Sequence, residues 1–101
     1  QPEFPGGSDS LLLFIKKNIH YPESAREKGE EGRVYVGFMV DTTGEIKDAR
    51  IISSVSDTLD AEAMRVVQLM PKWIPGTAGG SAMRLQFILP FDFILPKKES
   101  N

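Results

Sequence analysis

Residues 33–41 read RVYVGFMVD, and their alternation decides the fold. Val34, Val36, Phe38 and Val40 point one way, while Arg33, Tyr35, Gly37 and Met39 point the other, the pattern of a strand with one face buried. DTTGE (41–45) is a polar turn with a glycine, and it leads to a second strand over about 45–53. A loop this short between adjacent strands makes an antiparallel hairpin. In the second strand Ile46, Ala49, Ile51 and Ile52 break strict alternation, which predicts a bulge or an irregular start.

Downstream, SDTLDAEAMRVVQLM (56–70) changes period. Leu59, Ala63, Val66, Val67 and Met70 fall in a stripe down one face of a helix. Asp57, Asp60 and Glu62 crowd its N-terminal end, where the helix dipole favours acids, and Pro71 stops it. The single tryptophan, Trp73, follows between two prolines in MPKWIPG (70–76). A ring of that size is worth a few kcal/mol when buried. Trp73 is therefore expected as a core anchor that fixes where the chain leaves the helix. After a loose GTAGG (76–80), SAMRLQFILPFDFIL predicts a last strand over about 81–95. Met83, Leu85, Phe87, Leu89, Phe91 and Phe93 share one face of it, and Arg84, Gln86, Ile88, Pro90 and Asp92 the other.

Upstream, QPEFPGG (1–7) is a lead-in loop from which Phe4 can reach the core. Ser8 is suited to cap a helix over about 9–18, with Leu11, Phe14, Ile15 and Ile19 on one face. Leu12 and Leu13 widen that face beyond what one contact needs, so either something covers them or a small patch is exposed. Tyr21–Pro22 makes a fixed corner, since a residue before proline is driven to extended backbone. Two helical turns follow and end at Gly29.

The last strand cannot join the second by a tight turn, because a helix intervenes. It crosses over by the favoured right-handed route and runs parallel to the second strand. The expected fold is α+β: a three-stranded antiparallel sheet of order 2-1-3, with helices packed on one face. The opposite face, carrying Tyr35, Arg84 and Gln86, stays wet. The last strand then lies at an edge, which Pro90 supports, because proline cannot donate to a ladder.

The 101 residues make one domain, with 1–7 as lead-in and 96–101 as a frayed tail. A hydrophobic share of 41% and a charged share of 26% are those of an ordinary soluble globule. A formal net charge of −2 argues against nucleic acid as partner. Without cysteine there is no disulfide or thiolate chemistry. The longest apolar run, LLLFI (11–15), falls far short of a membrane span. The chain begins with Gln1 and carries no signal segment, so it reads as a piece of a longer protein whose anchor lies elsewhere.

No pattern reads as catalytic. His20 is the one histidine and has no companion ligand for a metal. No serine sits in a nucleophile elbow, GTAGG is neither a phosphate nor a dinucleotide loop, and DTTGE lacks the oxygen ligands of a calcium site. GGSD (6–9) fits capping better than anion binding. Neither cofactor nor metal is expected.

YPESAREKGEEGRVYVGFMVDTTGEIKDARIISS, then LDAEAMRVVQLMPKWIPG, then MRLQFILPFDF, together resemble the C-terminal domain of the TonB family, the periplasmic energy transducers of Gram-negative bacteria. The likeness covers about 20–95, and PEFPGG with its apolar helix looks like the Bacteroidota form. The resemblance implies a periplasmic domain of an inner-membrane-anchored protein, joined through a missing N-terminal part to proton-driven motor proteins. It implies binding to the TonB box, a short segment of outer-membrane transporters, which adds as a strand beside the final strand. Carried over, the binding positions are Arg84, Leu85, Gln86, Phe87, Ile88, Leu89, Pro90, Phe91 and Asp92, mainly through backbone groups. Asn18, Ile19, His20, Tyr21 and Pro22 also fall where the family touches the transporter. The lead-in helix is absent from the enteric form and could restrict docking if it packs over the edge. Family members can also dimerise by exchanging strands, so a homodimer is possible. The domain also occurs fused to other periplasmic or membrane proteins, where it could be a self-associating structural part.

Overall fold

A computed structural model describes residues 3–95. The tail expected at 96–101, and the first two residues of the lead-in, lie outside the described residues. Eight elements follow in chain order: α1 (Gly7–Asn18), α2 (Glu23–Lys28), β1 (Gly32–Val40), β2 (Ile46–Ser53), α3 (Asp57–Leu69), β3 (Gly76–Ala78), β4 (Ser81–Met83) and β5 (Leu85–Phe93). The main sheet has the order β2-β1-β5, with both neighbours antiparallel to β1. This is the α+β, 2-1-3 sheet that the sequence predicts.

Alternation on β1 works as expected. Val34, Val36, Phe38 and Val40 are fully buried, joined from β5 by Leu89, Phe91 and Phe93 and from α3 by Leu59, Ala63, Val66 and Val67. α3 is capped by Ser56, whose Oγ accepts from the Leu59 N–H. β2 carries the expected irregularity: its register against β1 shifts twice, and Asp48 takes a left-handed φ of 54°.

The strap at Trp73 joins parts that are distant in sequence. Its ring lies 5.1 Å from Phe87 of β5, 5.5 Å from Phe38 of β1 and 5.6 Å from Phe4 of the lead-in, centroid to centroid. Its backbone N–H donates to the Gly44 carbonyl at 2.7 Å, which docks the β1–β2 turn on the strap. Next to it, Ile74 and Glu3 exchange both backbone hydrogen bonds, at 2.6 and 2.8 Å. The lead-in is thus fastened to the strap, and Phe4 is buried.

Two expectations need correction. α1 is not capped by Ser8. The Gly7 N–H donates to the Phe4 carbonyl, with Pro5 and left-handed Gly6 (φ 87°) between them, and this turn feeds the chain straight into a helix that begins at Gly7. Nor does one strand run from 81 to 95. GTAGG is not loose: β3 and β4 form a small hairpin in which Ala78 faces Ser81 across Gly79 and Gly80, both at positive φ. Arg84 lies between β4 and β5 and belongs to neither.

Candidate binding edge

β5 is the element to examine, because one of its sides is open. β1 pairs with it from Gly32↔Phe93 to Val40↔Leu85 without a register shift. Among the described residues no strand pairs with its other side. Nine residues at about 3.3 Å each give roughly 30 Å of open backbone.

Pro90 sets the phase of that edge. Proline has no N–H, so the ladder runs through Pro90 undisturbed when its nitrogen faces away from β1. In an antiparallel pair both backbone groups of a residue face the same way, and direction alternates along the strand. Gln86, Ile88 and Asp92 are in step with Pro90, so their N–H and C=O groups face outward. Their side chains are exposed on the open face of the sheet, while Leu89, Phe91 and Phe93 are buried on the core face. On the open face Arg33 holds Asp92 across the strand pair, Nε to Oδ1 at 2.5 Å. The hydrogen bond to Asp92 raises the Arg33 pKa above its already high value.

The second predicted segment, Asn18 to Pro22, lies against the same strand. Ile19 lines a hollow of about 520 Å³ together with Pro90, Phe91 and Asp92, and the Tyr21 ring meets Phe93 edge-on at 5.7 Å. Tyr21 also donates its hydroxyl to the Glu30 carbonyl, and Arg26 lies 6.0 Å over its ring. Burial, then the charges of Glu31 and Glu30, push the Tyr21 hydroxyl pKa up. The corner is therefore built in at both ends, with His20 exposed between them. Arg84 stands apart from the ladder, exposed, and Leu85 begins it opposite Val40.

Sequence reading missed what holds this corner. Glu62 does not serve only the helix dipole. It is 9% exposed and accepts the His20 backbone N–H at 2.7 Å, while Arg65 bonds both of its oxygens. Arg65 also donates to the Asn18 carbonyl at 2.6 Å. Burial raises the Glu62 pKa, but the hydrogen bonds from Arg65 and His20 and the Arg65 charge outweigh it, and the net shift is downward. Asp60 likewise bonds Ser54 and the Val55 N–H at the end of β2. A 42-residue separation between Glu62 and His20 leaves no local signal.

Another hollow, of about 480 Å³, lies between the start of β2 and the end of α3, beside Lys47, Asp48, Gln68 and Lys72. Among the described residues no group of acids and histidine is placed to hold a metal, and no helix is long and apolar enough to cross a membrane.

Both the sequence and the fold of this chain have relatives. The model of the Gram-negative bacterial TonB protein C-terminal matches residues 17–95. This chain belongs to the TonB C-terminal family. Protein TonB of Pseudomonas aeruginosa is 34% identical over 80 residues, 77% of this chain and 23% of that protein. Protein TonB of Helicobacter pylori is 31% identical over 77 residues, 67% of this chain and 28% of that protein. The chain thus spans about a quarter of the length of these TonB relatives. The solution structure of the P. aeruginosa TonB C-terminal domain matches with a TM-score of 0.63 at 30% identity, over 80% of this chain and 82% of that one. That of H. pylori shares the fold at 23% identity with a TM-score of 0.67, over 93% and 89%. Most of α1 lies ahead of the residues that the TonB family model matches.

Proposed function

We propose that this chain is the periplasmic, transporter-facing domain of a TonB-type energy transducer. It takes the TonB box of an outer-membrane transporter as an added strand on β5. It then passes on force derived from the proton motive force through the inner-membrane motor proteins to which its parent is coupled. The domain works as a binding module and not as an enzyme. One observation carries this: β5 is zipped to β1 along its whole length and bare along the other side among the described residues. Partners that complete such an edge do so through main-chain hydrogen bonds. Each is worth about 1 kcal/mol net. A segment pulled along its own axis loads those bonds together, so a modest affinity suffices for a link that survives under load and releases later.

The test is a titration of labelled TonB-box peptide followed by anisotropy. Ile88→Pro deletes an outward N–H and leaves the β1 ladder whole, so it weakens binding by roughly 5-fold more than Ile88→Ala. Absence of saturable binding at high micromolar protein would reject the assignment. Equal effects of proline and alanine would show that side chains, not backbone, carry recognition. A self-pairing role, in which a second copy fills the edge, predicts a concentration-dependent dimer in sedimentation that competes with the peptide.

A further inference from the structure

We infer that α1 is the second wall of the docking site, and that the strand added to β5 is chosen by aliphatic side chains at alternate positions. The inference rests on strand addition to β5, as proposed above. The hollow beside β5 is lined from the α1 side by Leu12, Leu13, Ile15 and Ile19, with the charged Asp9 and Lys16 among them, and from the other side by Phe91, with Pro90 and Asp92 at the edge itself. Leu12 and Leu13 are 62% and 64% exposed, although they belong to a helix that buries Leu11, Phe14 and Ile15 partly against the core. Their exposed surface borders the side of β5 that no strand pairs with among the described residues.

The occupant follows from that continuity. Unpaired, in-step N–H and C=O groups are matched by another extended backbone. A strand laid there alternates its side chains between two faces. Those opposite Phe91 fall on the core face and enter the space under Leu12 and Leu13. Their neighbours fall on the open face beside Ile88 and Asp92, where water is available. The core-face set is therefore aliphatic, and the open-face set is unconstrained. α1 adds side-chain selection to an edge that otherwise reads only backbone. It does not close the edge, because a hollow of about 520 Å³ remains between them.

The experiment crosses two proteins with two probes. One probe is a labelled ten-residue peptide of alternating valine and threonine, and the other replaces each valine with serine. The proteins are the chain as it stands and its Leu12→Ala, Leu13→Ala double variant. Both positions are exposed, so the variant keeps its melting temperature. The chain binds the valine peptide at least 10-fold more tightly than the serine peptide. The double variant loses most of that preference by weakening the valine peptide alone. Three results would overturn the inference: equal binding of both peptides, an equal loss for both in the variant, or a dimer that the variant dissociates, which assigns the leucines to a second copy. If neither peptide nor a TonB box binds at all, strand addition itself has failed and the inference falls with it.

Discussion

Replacing Gly44 by alanine tests how the strap at Trp73 holds the sheet. Gly44 has a φ of +90°, and a Cβ there would lie 2.0 Å from the Trp73 carbonyl oxygen and 3.1 Å from its carbon. Both are backbone atoms of a segment pinned by the buried Trp73 ring, so neither moves aside cheaply. Two costs combine. A residue with a side chain in left-handed backbone costs about 1–2 kcal/mol. The turn must also leave the strap, which breaks the bond from the Trp73 N–H to the Gly44 carbonyl, about 1 kcal/mol net. With some loss of packing on Trp73 the sum is about 3 kcal/mol. Gly29 is the control: it has a φ of +70° but no atom within 4 Å of an added Cβ, so alanine there costs only the backbone term, about 1 kcal/mol. In a domain of this size that separates the two melts by roughly 10 °C. Circular dichroism melts give the shifts. Emission from the lone tryptophan reports the strap directly, moving to the red in folded Gly44→Ala and not in Gly29→Ala. If the two variants melt within about 2 °C of each other, the turn is not held by the strap and the reasoning fails.

Phe38→Ala empties the place where β1, β5 and Trp73 meet and should cost about 3–5 kcal/mol, read as a lowered urea midpoint at unchanged slope. Tyr21→Phe leaves the edge-on contact with Phe93 intact but removes the bond to the Glu30 carbonyl, so a loss of about 1 kcal/mol is expected in the same assay. Glu62 has its pKa held below the ordinary 4.5, so the unfolded chain binds that proton more readily. Its contribution is complete above about pH 5 and is lost as pH falls through the lowered value, so Glu62→Gln should flatten the acid side of a stability–pH profile. An unchanged slope would show that the carboxylate does not hold the corner.

The sheet was legible because β1 alternates without a fault and because a helix between β2 and β5 leaves one favoured topology. Trp73 was legible as an anchor through its size and its prolines. Three features were less so. The start of α1 is set by a Pro5–Gly6 turn that closes onto Phe4, and Ser8 offered a competing local cap. The hairpin at 76–83 did leave a signal, since paired glycines suit a two-residue turn, but the strands are only three residues each and the run of apolar positions after them reads as continuous. The contacts of Glu62 and Arg65 with Asn18 and His20 join elements far apart in the chain, so they can be found only once α3 and the corner are placed.

A three-stranded sheet has two edges, and only one of them suits a guest. β2 is irregular: Asp48, Ala49 and Ile52 have no partner on β1, Asp48 turns left-handed, and Lys47, Asp48 and Arg50 place charge along it. Bulges and charges are the devices by which proteins discourage pairing at an edge. β5 has a regular ladder, a single proline, and one acid already engaged by Arg33. The proline stands where its missing N–H costs nothing to the β1 ladder and removes only one outward donor among four in-step residues. The blunting is thus asymmetric: heavy on the side that α3 supports, light on the side that α1 overlooks. Such a division has no value for folding, since β5 would be safer if it were bulged like β2. It has value for a domain that must accept one foreign strand in one place, and so the difference between the two edges, more than the open edge alone, argues that β5 is kept open for binding.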